Sequence, residues 1–191
     1  MQCSAIARHY LTTFFSVALL AFSCLTQGAS STTTQTFQTC GIIASELLTS
    51  AQLFQKGIPL TTLYDSLPAL TPAGKKRLDA TYKQIQENGL IATYSVINSR
   101  FAKCAKSVFA ERGKPSHTSP DLLFYYCAGE NKLRYEYILA LYANVERKEL
   151  LAKVHKSKLK LASFMYDLNE NEGTLATFDF SATELKKCMN R

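Results

Sequence analysis

The chain has 191 residues and a formal net charge of +7, from 22 basic and 15 acidic side chains. This length suits one compact domain or two small helical halves. A mildly basic balance favours solubility and does not by itself indicate nucleic acid binding, and because no aromatic-basic motif is present we expect no nucleic acid partner.

The first 30 residues have the three-part layout of a secretory signal peptide. A short basic region ends at Arg8 and His9, an apolar run without charge extends from Leu11 to Leu25, and small residues follow it. The run is shorter than the roughly 20 apolar residues that a spanning helix needs. We therefore predict a cleavable signal peptide at 1–30 and an exported protein, periplasmic or secreted. We expect no transmembrane segment in the mature chain, and a retained membrane anchor is the alternative.

Two positions satisfy the small-x-small rule for cleavage, after Ser23 and after Ser30. We favour the second position, which makes 31–191 the mature chain. Ser23-Cys24 also resembles a lipoprotein cleavage site, although Phe22 is bulky and Ala21 stands where that pattern usually has Leu.

The six cysteines divide at the predicted cleavage site. Cys3 and Cys24 lie in the signal peptide, and four remain in the mature chain: Cys40, Cys104, Cys127 and Cys188. An even number of cysteines in an exported chain predicts two disulfides. No two of them have the CxxC spacing of a redox or zinc site. Four cysteines permit three pairings, and spacing alone does not choose among them.

Helical periodicity occurs nearly everywhere in 31–191, and strand-like alternation almost nowhere. In the first part of the mature chain, the pattern predicts a helix from Thr39 to before Gly57, a short helix over Leu60 to Leu67, and a helical region from Thr71-Pro72 to the loop at Lys114 to Ser119. The apolar register of the last region shifts after Gly89. This shift indicates either two helices or one long helix with a kink.

Helical spacing resumes at Ser119-Pro120-Asp121, with a core stripe formed by Leu123, Tyr126, Leu133, Tyr137 and Leu141, and Gly129 as a candidate break. A further helix is predicted from Glu146 to about Leu168, and a short extended segment from Thr174 to Phe180. Ser181-Ala182-Thr183-Glu184 is a capping box that would start a last helix. Together these elements predict an all-α fold, a compact helical bundle of about five to seven helices cross-linked by two disulfides.

The helical positions of the cysteines favour one pairing. Cys40 lies early on the apolar stripe of its helix and Cys104 late on its own, which suits neighbouring helices with those ends together. Cys127 and Cys188 flank the second half in the same way. We predict Cys40–Cys104 and Cys127–Cys188, each costing the unfolded chain on the order of 4 kcal/mol of entropy. The nearly equal spans also fit a duplication with halves 38–113 and 119–191, although other positions match poorly.

No catalytic, metal-binding or cofactor-binding pattern is found in the mature chain. Its histidines are His117, in a loop, and His155, on a lysine-rich helix, so no His pair at i and i+4 exists, and no GxSxG sequence accompanies them. The glycines are scattered and form no phosphate-binding loop. We expect a protein that is not an enzyme and needs no metal or cofactor, with a hydrolase of unrecognised site as the alternative.

Two stretches are candidate partner-binding surfaces. The aromatic-rich stretch 124–142 leaves Tyr125, Tyr135 and Tyr142 off the core stripe, and exposed tyrosines are common anchors at protein interfaces. Of these we rank Tyr135 and Tyr142, with neighbouring Arg134, first. The second surface is a stripe on one side of a predicted helix, formed by Lys153, Lys156 and Lys160. Such a stripe suits anionic lipid, polysaccharide or an acidic protein. Core packing of the tyrosines and a solvated lysine face are the alternative interpretations.

A signal peptide followed by a small helical domain with two disulfides resembles the layout of bacterial periplasmic proteins, including immunity proteins that neutralise toxins. Saposin-like domains are similar in size and helicity but use six cysteines. The resemblance and the missing chemistry together predict a protein that binds another protein, as an inhibitor, an immunity protein or an assembly factor. An envelope or anionic-lipid surface binder and a hydrolase are the alternatives.

We expect protein recovered from outside the cytoplasm to begin between Cys24 and Ser31, because the charge-free run from Leu11 to Leu25 directs export and the small residues after it permit cleavage. Mass measurement of the intact recovered protein tests this. An exported protein that begins at Met1 would contradict it.

Overall fold

The computed structural model describes residues 35–67 and 70–191, which form helices joined by short connections, with no β-strand among them. These ranges contain seven α-helices and one 3₁₀ turn: α1 (Phe37–Gln55), α2 (Leu60–Ser66), α3 (Pro72–Arg112), α4 (Asp121–Tyr142), α5 (Arg147–Lys153), the turn (Lys156–Lys158), α6 (Leu159–Glu172) and α7 (Thr174–Met189). The predicted all-α fold is confirmed. None of these helices has the length and apolarity that crossing a membrane requires. The predicted signal peptide lies outside the described residues.

Both predicted disulfides are present. Cys40 of α1 is bonded to Cys104 of α3, with their Cα atoms 5.8 Å apart. Cys127 of α4 is bonded to Cys188 of α7, with a Cα distance of 5.7 Å. Each bond joins helices that are far apart in the sequence, so α3 is attached to α1 and α4 is attached to α7.

The same four helices supply one hydrophobic core. Leu48, Tyr94, Ile138 and Leu185, one from each of α1, α3, α4 and α7, are at most 1% exposed and belong to a single cluster of buried residues. Burial of side chains of this size stabilises a fold by roughly 1.5–3 kcal/mol each. The stretches 38–113 and 119–191 therefore share their core.

A carboxylate from α4 occupies the amino-terminal end of α1. Asp121 accepts hydrogen bonds from the backbone N–H groups of Phe37 (3.1 Å) and Gln38 (2.7 Å). Thr36 and Thr39 complete the end with a reciprocal capping box. Because the first N–H groups of a helix have no partner within it and carry partial positive charge, an anionic side chain is favourable there. This contact fixes the start of α4 beside the start of α1.

The apolar register shift after Gly89 corresponds to a break in α3. Gly89 has φ +80° and ψ 170°, which is outside helical geometry, and helix continues on both sides of it. A side chain is strained at this φ, whereas glycine is not. The two helical segments on either side present their apolar faces to the core in different registers, as the sequence predicted.

A chain of buried amides and hydroxyls connects α3, α4 and α7. Asn98 donates to the carbonyl of Tyr94 (2.9 Å), Asn131 donates to Asn98 Oδ1 (2.9 Å), and Ser181 donates to Asn131 Oδ1 (3.3 Å). Asn98, Asn131 and Ser181 are each 1% exposed. Buried polar groups of this kind are costly unless they are paired, so the chain of hydrogen bonds favours one mutual position of the three helices.

Tyr94 provides a second polar link between α3 and α7. Its hydroxyl donates to Asp179 Oδ1 at 2.6 Å, and its ring stacks on Phe178 with a centroid distance of 5.5 Å. Burial, together with the hydrogen bond to the Asp179 carboxylate, raises the pKa of Tyr94 well above its usual value. The phenol therefore stays neutral and donates over the whole physiological range of pH.

The predicted extended segment from Thr174 to Phe180 and the predicted capping box at Ser181 are both wrong. α7 is one continuous helix, and Ser181 lies buried in its middle. Gly173, at φ +85°, turns the chain directly from α6 into α7 without an intervening strand. Thr177, Phe178 and Ser181 then share the buried face of the helix, and this packing overrides the preference of threonine and phenylalanine for extended structure.

The helix predicted from Glu146 to about Leu168 is interrupted. Val154 and His155 have extended backbone (ψ 136° and 141°), which separates α5 from the 3₁₀ turn and α6. The backbone N–H of Ser157 donates to His155 Nδ1 at 3.3 Å and caps the turn. This local hydrogen bond offers the backbone an alternative to continuing the helix.

We expect Asn131→Ala to lower the free energy of unfolding by about 2–3 kcal/mol, because it leaves buried polar atoms of Asn98 and Ser181 without partners. Ser181→Ala removes only the longest hydrogen bond of the chain and is expected to cost about 1 kcal/mol. Denaturant unfolding with both disulfides intact measures both values. Ser107→Ala, on the exposed side of α3, serves as a control. A loss below about 0.5 kcal/mol for Asn131→Ala would show that the buried chain contributes little.

Candidate functional site

Two of the three residues predicted as an aromatic binding surface are buried. Arg134 is 6% exposed and Tyr135 is 8% exposed, so the expectation that they are accessible is wrong. Tyr135 donates to the carbonyl of Ser95 at 3.1 Å, and Arg134 pairs with Glu130 at 3.2 Å. The cause is that α4 packs against α1, α3, α6 and α7, which covers more of its circumference than one stripe.

Tyr142, the third residue of that surface, is accessible. It is the last residue of α4 and is 69% exposed. Tyr126, in contrast, was predicted in the core stripe and is 47% exposed, so this prediction is also wrong. The accessible tyrosines of α4 thus lie near its two ends.

The predicted lysine stripe is exposed but is divided among three elements. Lys153 ends α5, Lys156 begins the 3₁₀ turn, and Lys160 lies in α6. The extended backbone at 154–155 breaks the helix that would align them on one side. Lys153 is also paired with Glu149 at 2.6 Å. The three lysines therefore do not form one helical face.

An open groove of about 900 Å³ lies between α3 and α4. Its walls come from residues 99–109 of α3 and 125–136 of α4, and Phe37 and Lys158 also line it. Small residues are frequent in both walls: Ser99, Ala102, Ala105, Ala128 and Gly129. A concave surface of this size is within the range of ligand and partner sites in proteins. We refer to it as the α3–α4 groove.

Aromatic side chains gather where α3 ends and α4 begins. Tyr125 contacts three other rings, with centroid distances of 5.2 Å to Phe37, 6.1 Å to Phe109 and 5.4 Å to Tyr126. Phe109 and Tyr126 are 49% and 47% exposed, and all four residues line the groove. Exposed aromatic side chains that are held by neighbouring rings are suited to anchoring a partner, because little conformational entropy remains to be lost.

The charges around the groove are unbalanced. Glu136 is paired with Lys132 at 2.6 Å, and Glu130 is paired with Arg134 at 3.2 Å. Three exposed lysines of the groove, Lys103, Lys106 and Lys158, form no ion pair with any described residue. The groove therefore combines an apolar interior with an unpaired positive edge.

Gly129 lies in the interior of α4, where neither the backbone conformation nor the packing of the described residues requires a glycine. The helix is continuous through it, so it is not the break that the sequence suggested. A Cβ atom built on Gly129 would have no heavy atom within 4 Å, whereas one on Gly41 would lie 3.0 Å from Met189 Sδ. Glycine costs about 1 kcal/mol relative to alanine in a helix interior. Packing explains Gly41, and nothing within the described residues explains Gly129.

In the described part of the chain, the spacing of possible metal ligands and the positions of the two described histidines follow from the fold. No three His, Cys, Asp or Glu side chains there cluster closely enough to hold a metal ion. His117 and His155 are exposed and lie outside the groove. A smaller cavity of about 330 Å³ adjoins the start of α1, where Asp121 already occupies the backbone donors.

The groove is a product of tertiary packing, and two features of the sequence are weak signals of it. Gly129 stood inside a helical pattern, and Tyr125 and Tyr126 stood next to each other where at most one can face the core. Comparison of the chain with protein-family models, with curated proteins and with solved structures found no match.

We expect Gly129→Ala to raise the free energy of unfolding by about 1 kcal/mol and the Tm by about 2–4 °C, since alanine favours the helix and its methyl group meets open space. Gly89→Ala, at φ +80°, should destabilise the protein instead. Thermal unfolding of the two variants forms a matched comparison. A lower Tm for Gly129→Ala would mean that packing within the fold requires this glycine.

Proposed function

We propose that this chain is an exported protein that is not an enzyme and that binds another protein through the α3–α4 groove. The observation that carries the proposal is the combination of exposed, mutually packed aromatic rings with an apolar groove. Phe109 and Tyr126 are each about half exposed at one end of it. Large aromatic residues in a concave apolar surface are typical of residues that dominate binding energy at protein interfaces.

The disulfides support this proposal because they act on the walls of the groove. Cys104 lies between Lys103 and Ala105 in one wall, and Cys127 lies between Tyr126 and Ala128 in the other. Each wall is thereby bonded to another helix, α3 to α1 and α4 to α7. A surface that is held in its binding shape before the partner arrives loses less entropy on association.

Export, to the periplasm or outside the cell, is part of the same proposal. Two disulfides are typical of domains that fold in an oxidising compartment, and the apolar run from Leu11 to Leu25 has the composition of a signal peptide. An inhibitor, an immunity protein or an assembly factor would each use a rigid binding surface of this kind without catalytic groups.

Binding to an anionic lipid surface is the second candidate function. It is favoured by the exposed lysines at 153–160, four residues within eight positions. Such binding would be weakened steeply by salt. Lys156→Glu is the variant that separates this candidate from the first, because Lys156 does not line the groove.

We expect Phe109→Ala and Tyr126→Ala each to weaken binding to the native partner by about tenfold or more, which corresponds to the loss of an aromatic anchor. The partner is first identified by placing a photo-crosslinking amino acid at position 126 in the native host. Binding of the purified pair is then measured by titration. Tyr142→Ala is the matched control, because Tyr142 is exposed on the same helix outside the groove.

Three results would contradict the proposed function, binding of a protein at the groove without enzymatic activity. Adducts at position 142 but not at position 126 would move the interface to the end of α4. Salt-sensitive binding to phosphatidylglycerol vesicles that Lys156→Glu abolishes, with no protein adduct at either position, would favour the lipid candidate. Turnover of an envelope substrate by the purified protein would overturn the proposal that it is not an enzyme.

A further inference from the structure

We infer that the α3–α4 groove accepts an amphipathic α-helix of the partner, with acidic residues beside its apolar face and a small residue opposite Gly129. This inference rests on the proposed protein-binding function and names the chemistry of the partner segment. Four properties of the groove support it: the secondary structure of its walls, its length, the small side chains that line it and its unpaired lysines.

The walls exclude a partner that binds as an added strand. Both walls are helices, in which the backbone N–H and C=O groups are already bonded to each other. Strand addition requires an open sheet edge, and the described residues contain no sheet. An extended segment would therefore bury its own backbone groups without partners, whereas a helix satisfies them internally.

The dimensions suit one face of a helix. Residues 99–109 of α3 extend about 15 Å at a helical rise of 1.5 Å per residue, which is close to three turns. A helix bound in a groove uses anchors at positions i, i+3 or i+4, and i+7, which occupy about two turns. An open groove leaves the opposite, polar face of such a helix in water.

The small side chains allow a close approach. The walls contain small residues that would add little bulk between their backbones and that of a bound helix: Ala102 and Ala105 in one wall, and Ala128 and Gly129 in the other. The distance between the axes of two packed helices depends on the side chains at their contact, so small residues permit a short interaxial distance. Gly129 has the clearest role here, because an incoming helix would use the space that no atom of the fold uses.

The charges indicate that the partner helix is acidic. The glutamates at the groove are already paired within the chain, whereas Lys103, Lys106 and Lys158 have no anionic partner among the described residues. Carboxylates beside the apolar face of the partner helix would complement these lysines. A second copy of this chain would bring the same unpaired lysines against them, which disfavours self-association at the groove.

The test uses two synthetic peptides of about 18 residues, five helical turns, with the same apolar face containing alanine, leucine and one tryptophan. The acidic peptide carries glutamates beside that face, and the basic peptide carries lysines at the same positions. Because the chain contains no tryptophan, the peptide's emission reports its burial directly. Titrations use the full chain recovered after export with both disulfides formed, at low and at physiological salt.

We expect the acidic peptide to bind at least about tenfold more tightly than the basic peptide, since three charge pairs replace three like-charge contacts. The variant with Lys103→Glu, Lys106→Glu and Lys158→Glu should invert this preference. Such an inversion requires a folded groove, so it also excludes unfolding as the cause. Equal binding of the two peptides would overturn the inference that the partner helix is acidic. An unchanged preference for the acidic peptide in the triple variant would overturn it as well.

Gly129→Leu tests the close approach. Leucine is a good helix former and its side chain would enter the groove, so we expect a stable protein that binds the acidic peptide about tenfold more weakly. Ala80→Leu is the control, an exposed position of α3 outside the groove. Unchanged binding in Gly129→Leu would show that the helix does not pass over this residue.

Failure of this inference is distinguishable from failure of the proposed function. If Phe109→Ala weakens the native partner but neither peptide binds, the groove binds protein and the partner segment is not an acidic helix. Phosphatidylglycerol vesicles provide a further outcome. If Gly129→Leu weakens binding of these vesicles and neither peptide binds, then the groove binds lipid, and both the inferred acidic helix and the proposed protein partner are wrong.

Discussion

The covalent attachment of α3 to α1 and of α4 to α7 is the constraint on which the groove depends. Cys104 and Cys127 lie within the two stretches of helix that form its walls, and their partners Cys40 and Cys188 lie in two other helices, α1 and α7. Cross-links across such long loops act mainly by limiting the unfolded chain. The disulfides therefore attach each wall to another helix of the bundle and leave the spacing between the two walls to other contacts.

Hydrogen bonds below the groove then set the distance between the walls. Asn131 and Tyr135 of α4 bond to Asn98 and Ser95 of α3, and both α4 residues also line the groove. Asn98, Asn131 and Tyr135 are buried, so a shift of one helix along the other would leave their polar atoms unpaired at a cost of about 1–3 kcal/mol for each group. The disulfides limit which helices are neighbours, and the hydrogen bonds favour one position for α3 against α4.

The elements that the sequence predicted correctly are those with local signals. Spacing of apolar residues located the helices, the register shift located the break at Gly89, and the helical positions of Cys40 and Cys104 indicated their pairing. Periodicity does not show how many helices surround a given one, which is why Arg134 was expected at the surface. The extended segment at 174–180 was wrong for a related reason, since only the packed bundle shows that its Thr177 and Phe178 belong to a buried helical face.

The groove could not be predicted because it requires two surfaces that meet only in the folded chain. The sequence does contain one residue that conflicts with its surroundings, a glycine inside a strong helical pattern. Residues that lower the stability of their own helix are expected where they serve a function. The structure removes the competing explanations for Gly129: its backbone is helical, and no neighbour needs its missing side chain. Substitutions to alanine at such sites are a common route to higher stability. A glycine that remains in an open position, in a groove that Tyr126 and three unpaired lysines also line, is therefore best explained by a surface that arrives from outside the fold.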